Sequence, residues 1–171
     1  MEARLKPQDV VVALALVAHP GEKPGYRQLA ARVGMSASEV HAALKRLRAC
    51  RLYSPVTERV SRAGLQEFLQ HGIRYVFPAE EGERVQGTPT AWSASPLRSR
   101  LLVGEGDAAV WPSTEGETFG RRVVPLHAGV PAAARRDPAL HEWLALADAM
   151  RSGRIRERRL ASEELERRLA S

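Results

Sequence analysis

One short stretch of the chain places small, polar and basic side chains three and four residues apart. The set consists of Ser38, His41, Ala42 and Lys45. Residues at this spacing share one face of an α-helix, so the pattern predicts a helix over residues 37–51 with the four side chains together. Small side chains let a helix lie close to another surface, and hydroxyl, imidazole and ammonium groups can donate hydrogen bonds to base edges. We therefore predict that this set contacts base edges in a DNA major groove.

Basic and hydroxyl side chains around this set are of the types that bind phosphate. They are Tyr26, Arg27, Ser36, Arg46, Arg48, Arg59 and Arg62. Contacts of this kind fix the position of a protein on a duplex without reading its sequence. We predict phosphate contacts for all seven, and the alternative for each arginine is a charge on a solvated helix surface.

The distribution of charge favours an anionic partner for the same part of the chain. The 171 residues include 26 Lys+Arg and 20 Asp+Glu, which gives a formal net charge of +6. Residues 1–60 hold ten of the basic and five of the acidic residues, and so account for +5. A local excess of this size indicates a nucleic-acid partner rather than a generally basic protein.

The sequence contains no pattern typical of catalysis or metal binding. It has no Gly-x-Ser-x-Gly nucleophile and no phosphate-binding glycine loop, and no two of its five histidines are three or four residues apart. We predict that the protein is not an enzyme and uses no metal or cofactor. The single cysteine, Cys50, cannot form an intrachain disulfide, and we expect it to be half-buried rather than to sense oxidants.

The longest apolar run near the start of the chain covers residues 10–18. A bilayer requires about 20 apolar residues in a helix, so this run is too short to cross one. We expect a cytoplasmic protein without a membrane partner.

Three helices are expected to position the candidate residues. Apolar residues at helical spacing predict helices over residues 7–17 and 26–33. Gly34 suits the left-handed conformation that ends a helix. Ser36, with Glu39 three residues later, is the capping-box pattern that begins the third helix.

The residues at this point resemble a known family. The spacing of Ala30, Gly34 and Val40, with Leu44 four residues further on, is similar to the helix-turn-helix signature. The stretch over residues 5–61 resembles the winged helix-turn-helix regulators of the MarR and GntR-like kind.

The resemblance implies a bacterial or phage-type transcriptional regulator that acts as a repressor on double-stranded DNA. Its helix 37–51 would read the major groove, and residues 52–60 would form a two-stranded wing. Many such regulators dimerise through helices outside the DNA-binding part, so a homodimer is implied as well. The alternative is a protein-interaction module, an adaptor or antitoxin-like partner, on a winged-helix scaffold.

Residues 62–131 are expected to combine one helix with irregular chain and short strands. We predict a helix over residues 62–71 that ends at Gly72, and a strand over residues 73–77 because its residues are β-branched and aromatic. Many glycines and prolines follow, and they exclude long helices. The remaining strands are expected at residues 101–103, 109–111 and 122–125.

Three aromatic residues in this middle part, Trp92, Trp111 and Phe119, require burial. They are expected to pack on neighbouring helices or to line a groove for a protein partner or a small effector. We expect residues 88–96 to form an extended arm. The acidic residues that precede it are expected in a surface loop, at Glu80, Glu81 and Glu83.

The last part of the chain returns to helical spacing. Asp137 and Pro138 form a strong helix start, as N-cap and first helical residue. The apolar residues that follow could form a dimer arm or cover the tryptophan-containing middle. The whole chain is thus expected to be mainly α with small β elements (α+β). Its expected segments are residues 1–61, 62–131 and 132–171.

Overall fold

The computed structural model describes residues 4–104 and 106–170. Helices account for 55% of the described residues, and the strands form one sheet of two strands and one of three. The prediction of a mainly α protein with small β elements is confirmed. No helix in these two ranges is long and apolar enough to cross a membrane.

The first three helices form where local sequence signals predict them. They are α1 (Pro7–Ala18), α2 (Tyr26–Val33) and α3 (Ala37–Ala49). Gly34 ends α2 with a φ of 70°, a conformation that costs glycine little. Ser36 and Glu39 form the predicted capping box at the start of α3. The helix ends at Ala49 rather than at residue 51.

A two-stranded hairpin follows α3. Its strands are β1 (Tyr53–Ser54) and β2 (Arg59–Val60), which pair antiparallel with Tyr53 opposite Val60. Val60 is buried, whereas Val56 at the tip of the hairpin is 91% exposed. The strand pair predicted for residues 52–60 is therefore present.

Residues 62–76 form one continuous helical segment. It consists of α4 (Arg62–Glu67), a π-helical turn (Phe68–Gly72) and α5 (Ile73–Val76). Leu65, Leu69 and Ile73 recur every four residues and are all buried, so a helix places them together against the core. The predicted helix end at Gly72 and the predicted strand over residues 73–77 are wrong, because this shared burial outweighs the β propensity of the local residues.

The middle of the chain forms a small closed barrel of three strands. They are β3 (Glu81–Pro89), β4 (Ala109–Pro112) and β5 (Thr118–Val123). β3 pairs antiparallel with both other strands, and β4 and β5 pair in parallel.

The strand predicted at residues 109–111 is confirmed, and the one predicted at 122–125 overlaps the end of β5. No strand forms at residues 101–103. The acidic loop expected around Glu81 and Glu83 is also wrong, since both residues belong to β3.

Glycines let the strands of this barrel approach more closely than any side chain would allow. A Cβ at Gly87 of β3 would collide with the carbonyl oxygen of Trp111 on β4, and a Cβ at Gly116, in the loop between β4 and β5, would collide with the backbone of Gly87. Close backbone approach is a common reason for glycine in a strand. From the sequence, these glycines predict irregular chain; in the structure they allow close packing of the backbone.

Two of the three aromatic residues of the middle part are buried as predicted. Trp111 is 1% exposed and Trp92 is 9% exposed. The prediction for Phe119 is wrong, because its side chain on β5 is 63% exposed. Residues 88–96 are not an extended arm: they contain the end of β3 and a 3-10 turn (Ala91–Ser93), and most of them are buried.

One helix of the C-terminal part lies at the centre of the molecule. The last three helices are α6 (Val130–Arg136), α7 (Pro138–Ser152) and α8 (Ile155–Leu169). α7 packs against α1, α5, α6, α8 and the 3-10 turn that contains Trp92, and the Asp137 side chain caps its start as predicted. Ala161, Leu165 and Leu169 of α8 pack inward too, whereas Ile155 at the start of that helix is 79% exposed. These helices therefore cover the tryptophan-containing middle.

A buried carboxylate on α7 ties that helix to the barrel. Asp148 is 1% exposed, and it accepts hydrogen bonds from Trp111 Nε1 at 2.7 Å and from Thr90 Oγ1 at 2.8 Å. Arg151 donates to it at 2.6 Å and also to the backbone carbonyls of Phe77 and Val124. The charge of Asp148 is thus balanced and fully hydrogen-bonded inside the protein.

Candidate nucleic-acid interface

α3 turns its apolar side inward and its polar side outward. Its buried residues are Val40, Ala43, Leu44 and Leu47, and they pack against α1 and α2. On the outer side Ser38, His41 and Lys45 are exposed and Ala42 is half-buried. Arg48 continues the same row three residues after Lys45 and is exposed as well. We call this row, formed by Ser38, His41, Ala42, Lys45 and Arg48, the α3 stripe.

The N-terminal end of α2 lies beside this stripe. The rings of Tyr26 and His41 meet edge to face, with their centroids 5.2 Å apart. Tyr26 remains 51% exposed, and Arg27 next to it is exposed. The structure thus brings the predicted phosphate residue Tyr26 against the predicted base residue His41.

The start of α3 holds its hydroxyl and carboxyl groups in a fixed arrangement. Ser36 Oγ accepts from the backbone N–H of Glu39 and lies 3.1 Å from Ser38 Oγ. The Glu39 carboxylate accepts from the backbone N–H of Ser36 at 2.7 Å. Hydrogen bonds from the backbone and then the side chain of Ser36 hold the pKa of Glu39 below its ordinary value. The only carboxylate of α3 is therefore ionised and committed to the helix cap.

Several exposed cations in or next to α2, α3 and the hairpin have no acidic partner in the part of the chain that the structure describes. Within the described ranges, no carboxylate oxygen lies within 4.0 Å of the basic nitrogens of Arg27, Lys45, Arg48, Arg51 or Arg59, and all five residues are exposed. Arg51 was not among the predicted contacts. It follows the end of α3 with a φ of 63°, and this turn directs the chain out of the helix. The signal that could have identified Arg51 is its place directly after a basic helix end.

Arg46 does not belong to this face, although it was predicted to contact phosphate. Its guanidinium makes a two-pronged ion pair with Asp9 of α1, with Nε–Oδ2 at 2.8 Å and Nη2–Oδ1 at 2.7 Å. Asp9 is completely buried and also accepts from the backbone N–H of Lys6. The carboxylate of Asp9 raises the pKa of Arg46. The group is thus occupied in holding α3 against α1.

Arg62 is likewise engaged within the chain. It donates to the backbone carbonyl of Arg168 near the end of α8, and its side chain is half-buried. Arg59, the other predicted contact outside α2 and α3, lies exposed on β2 opposite Ser54. Of the two, only Arg59 presents its charge to solvent.

Cys50 at the end of α3 is exposed, so the expectation of a half-buried thiol is wrong. The helix ends one residue earlier, and the Cys50 thiol donates to the carbonyl of Leu47 at 3.4 Å. Among the described residues, no three His, Cys, Asp or Glu side chains are grouped so that they could hold a metal ion.

Two clefts near the barrel are places where a small effector could bind. One has a volume of about 200 Å³ and is lined in part by Trp92, Leu102, Arg121 and Arg154, and the other has a volume of about 320 Å³ and is lined in part by Ser93, Arg98 and Thr118. Ligand pockets usually measure about 300–1,000 Å³, so only the second cleft reaches the usual size. The effector stays a prediction.

Neither protein-family models, nor curated proteins, nor solved structures gave a match to this chain. The resemblance of residues 5–61 to winged helix-turn-helix regulators therefore stays a prediction. The functional interpretation depends on the geometry of α3 and its surroundings.

Proposed function

We propose that the protein is a sequence-specific, double-stranded DNA-binding transcriptional regulator that lays α3 in the major groove and acts as a repressor in the cytoplasm. The observation that carries this proposal is the exposed α3 stripe, accompanied on α2, α3 and the hairpin by exposed cations that have no acidic partner among the described residues. The major groove is about 12 Å wide and admits one helix. Cations without an acidic partner can neutralise phosphates and release counterions, which provides most of the non-specific affinity.

The contacting residues divide into two groups under this proposal. Ser38, His41, Ala42 and Lys45 face base edges. The residues that contact phosphate are Tyr26, Arg27, Ser36, Arg48 and Arg59, together with Arg51, which the sequence did not predict. Arg46 and Arg62 are not in this group, because both are engaged within the chain. The β1–β2 hairpin is then the wing of a winged helix-turn-helix arrangement, since it directly follows the reading helix.

The proposal is tested by selecting DNA from a random double-stranded library with the purified protein and then titrating the selected duplex at several salt concentrations. We expect enrichment of one motif and a linear fall of log K with log salt. Arg27→Ala should weaken binding to all sequences and reduce the salt slope by about one. Lys45→Ala should reduce the preference for the motif, at a cost of about 1–3 kcal/mol.

Arg98→Ala is the matched control, because Arg98 is exposed on the 3-10 turn Leu97–Arg100, outside α2, α3 and the hairpin. It should leave both affinity and salt slope unchanged. Absence of any enriched motif, at low as well as moderate salt, would contradict the proposal. Repression is then measured by placing the selected motif in a promoter and comparing transcription with and without the protein.

The proposed functional form is a homodimer, because one helix offers few base contacts and two half-sites raise specificity. A selected motif with inverted half-sites about 10 base pairs apart would support it. Most apolar residues of α8 pack inward within the chain, and only Ile155 at its start, 79% exposed, is an apolar side chain of this helix that a dimer contact could use.

A second candidate function, a protein-interaction module, is favoured by two neighbouring apolar side chains on α5. Tyr75 is 74% exposed and Val76 is 54% exposed, which is unusual for adjacent large apolar residues without a partner. If DNA selection fails, Tyr75→Ser and Val76→Ser should disrupt a complex isolated with the wild-type protein. If both variants retain that complex, this candidate is wrong.

A further inference from the structure

The hydrogen-bonding capacity of the α3 stripe is strongly biased toward donors. Lys45 and Arg48 can only donate, while Ser38 and His41 can donate or accept. α3 contains no Asn, Gln or Asp, the side chains that pair with adenine through two hydrogen bonds or, for Asp, accept from cytosine. Ala42 adds only a methyl group.

The one exception on α3 is Glu39, and its carboxylate is already occupied. It accepts the backbone N–H of Ser36 at 2.7 Å, and that bond completes the helix cap. Using this carboxylate to accept from a cytosine amino group would open the capping box. The structure therefore removes from the interface the only strong acceptor that the sequence of α3 contains.

Base edges differ in what they offer to such a surface. In the major groove guanine presents two adjacent acceptors, N7 and O6, whereas adenine presents one acceptor and one donor and cytosine presents a donor. Thymine offers one acceptor and a methyl group, which suits contact with an alanine. A surface of donors with one small apolar residue thus matches guanine, with thymine beside it.

The length of the stripe limits how many bases it can read. Ser38 and Lys45 are seven residues apart, which corresponds to about 10 Å along a helix. At 3.4 Å per base pair, this distance covers about three base pairs. Arg48 lies one further turn along and reaches the next phosphate or base.

From these observations we infer that α3 selects guanine, with Lys45 contacting N7 and O6 of a guanine inside a core of about three base pairs. The inference rests on the proposed function and names the bases that this face reads. Lys45 is the specificity-determining residue, because it has no acidic partner within 4.0 Å among the described residues and, of the two stripe residues that can only donate, it is the one within the three-base-pair span. Asp9 and Arg46 act on the same site as positioning residues, since their ion pair fixes α3 on α1.

The test uses the full chain and DNA selected from a random duplex library. The enriched motif should contain a guanine whose replacement by 7-deazaguanine, which lacks the N7 acceptor but still pairs with cytosine, weakens binding about 5- to 150-fold. Lys45→Gln should move the preference at that base toward adenine, because glutamine pairs with adenine, whereas Lys45→Arg should keep guanine. Arg98→Gln is the control and should keep both motif and affinity.

Each outcome bears on the inference. An enriched core of A·T pairs only, or a 7-deazaguanine duplex that binds as tightly as the parent, overturns the guanine assignment while DNA binding stands. Enrichment of a guanine that is unaffected by Lys45→Gln overturns the role of Lys45. Failure to enrich any duplex, or selective binding of RNA or protein instead, overturns the proposed function and the inference with it. Because Lys45 is exposed, circular dichroism should show the same helix content in all variants.

Discussion

α3 and α7 are helices of 13 and 15 residues that place most of their charged side chains in opposite environments, exposed on α3 and buried on α7. α3 buries one apolar side and leaves exposed Lys45 and Arg48 without an acidic partner among the described residues. α7 is buried along most of its length, and its central carboxylate, Asp148, accepts three hydrogen bonds. Burying an unpaired charge is costly, so α7 must balance Asp148 internally. Exposed charges on α3 face no such requirement and remain available to a partner.

The same contrast occurs between two neighbours in the sequence. Lys45 is exposed and has no acidic partner in the described part of the chain, whereas Arg46 is held by the buried carboxylate of Asp9. A rotation of about 100° per residue places them on different sides of the helix. Burial and partners, rather than charge itself, thus separate the groups that hold the fold from the groups that can bind a ligand.

The largest expected effect comes from removing the buried carboxylate of α7. Asp148→Ala leaves the Arg151 guanidinium buried without its counter-charge and deprives Trp111 and Thr90 of their acceptor. We expect the free energy of unfolding to fall by about 5 kcal/mol, at the upper end of the range for a broken buried ion pair. Urea denaturation measures this loss. Glu166→Gln on the exposed side of α8 is the control and should change stability by less than about 0.5 kcal/mol.

The neighbours on α3 provide a matched pair with a smaller effect. Arg46→Met leaves Asp9 buried without its ion-pair partner and should cost about 3 kcal/mol, at the lower end of the same range because Arg46 is 15% exposed. Lys45→Met should change the free energy of unfolding by less than about 0.5 kcal/mol and yet weaken DNA binding. Equal losses of stability in the two variants would remove the distinction between structural and exposed charges on this helix.

The smallest effect concerns the contact between the end of α1 and the start of α7. Asp137 lies 2.7 Å from His19 Nε2 and accepts the backbone N–H of Leu140. Burial acts to raise the pKa of Asp137, but the hydrogen bonds from His19 and Leu140 outweigh it and hold that pKa below its ordinary value.

A lowered pKa in the folded state stabilises the protein above the unfolded value of about 3.9, and this stabilisation is lost as the pH falls through the folded pKa. Urea denaturation between about pH 5 and pH 2 should therefore show a smaller fall in stability for Asp137→Asn than for the wild type. If the free energy of unfolding fell with pH equally in the two proteins, the contact between His19 and Asp137 would contribute nothing to the loss of stability in acid.

Local signals in the sequence predict the first three helices correctly, because a capping box, a left-handed glycine and an apolar stripe act within a few residues. The strand predicted at residues 73–77 fails because the helical register begun at Leu65 continues through Gly72 to bury Ile73. The barrel could not be foreseen, since its glycines are explained by strands distant in sequence.

The candidate interface follows a similar division. The outward position of Ser38, His41 and Lys45 is a property of helix spacing and is predicted from the sequence alone. The sequence could not predict that Arg46 and Arg62 are engaged within the chain instead of facing a ligand, because their hydrogen-bond partners are 37 and 106 residues away. Interactions over such separations depend on packing of whole elements.

The close backbone contacts at Gly87 and Gly116 have a consequence for how this protein can evolve. Any side chain at either position collides with backbone that cannot move away, so natural variants should retain both glycines. The α3 stripe is exposed and can change one residue at a time; under the proposed function, such changes would alter the DNA sequence that is bound. Among diverged descendants, the most invariant positions would therefore lie in the barrel, and the most functionally informative ones would be among the variable residues of α3.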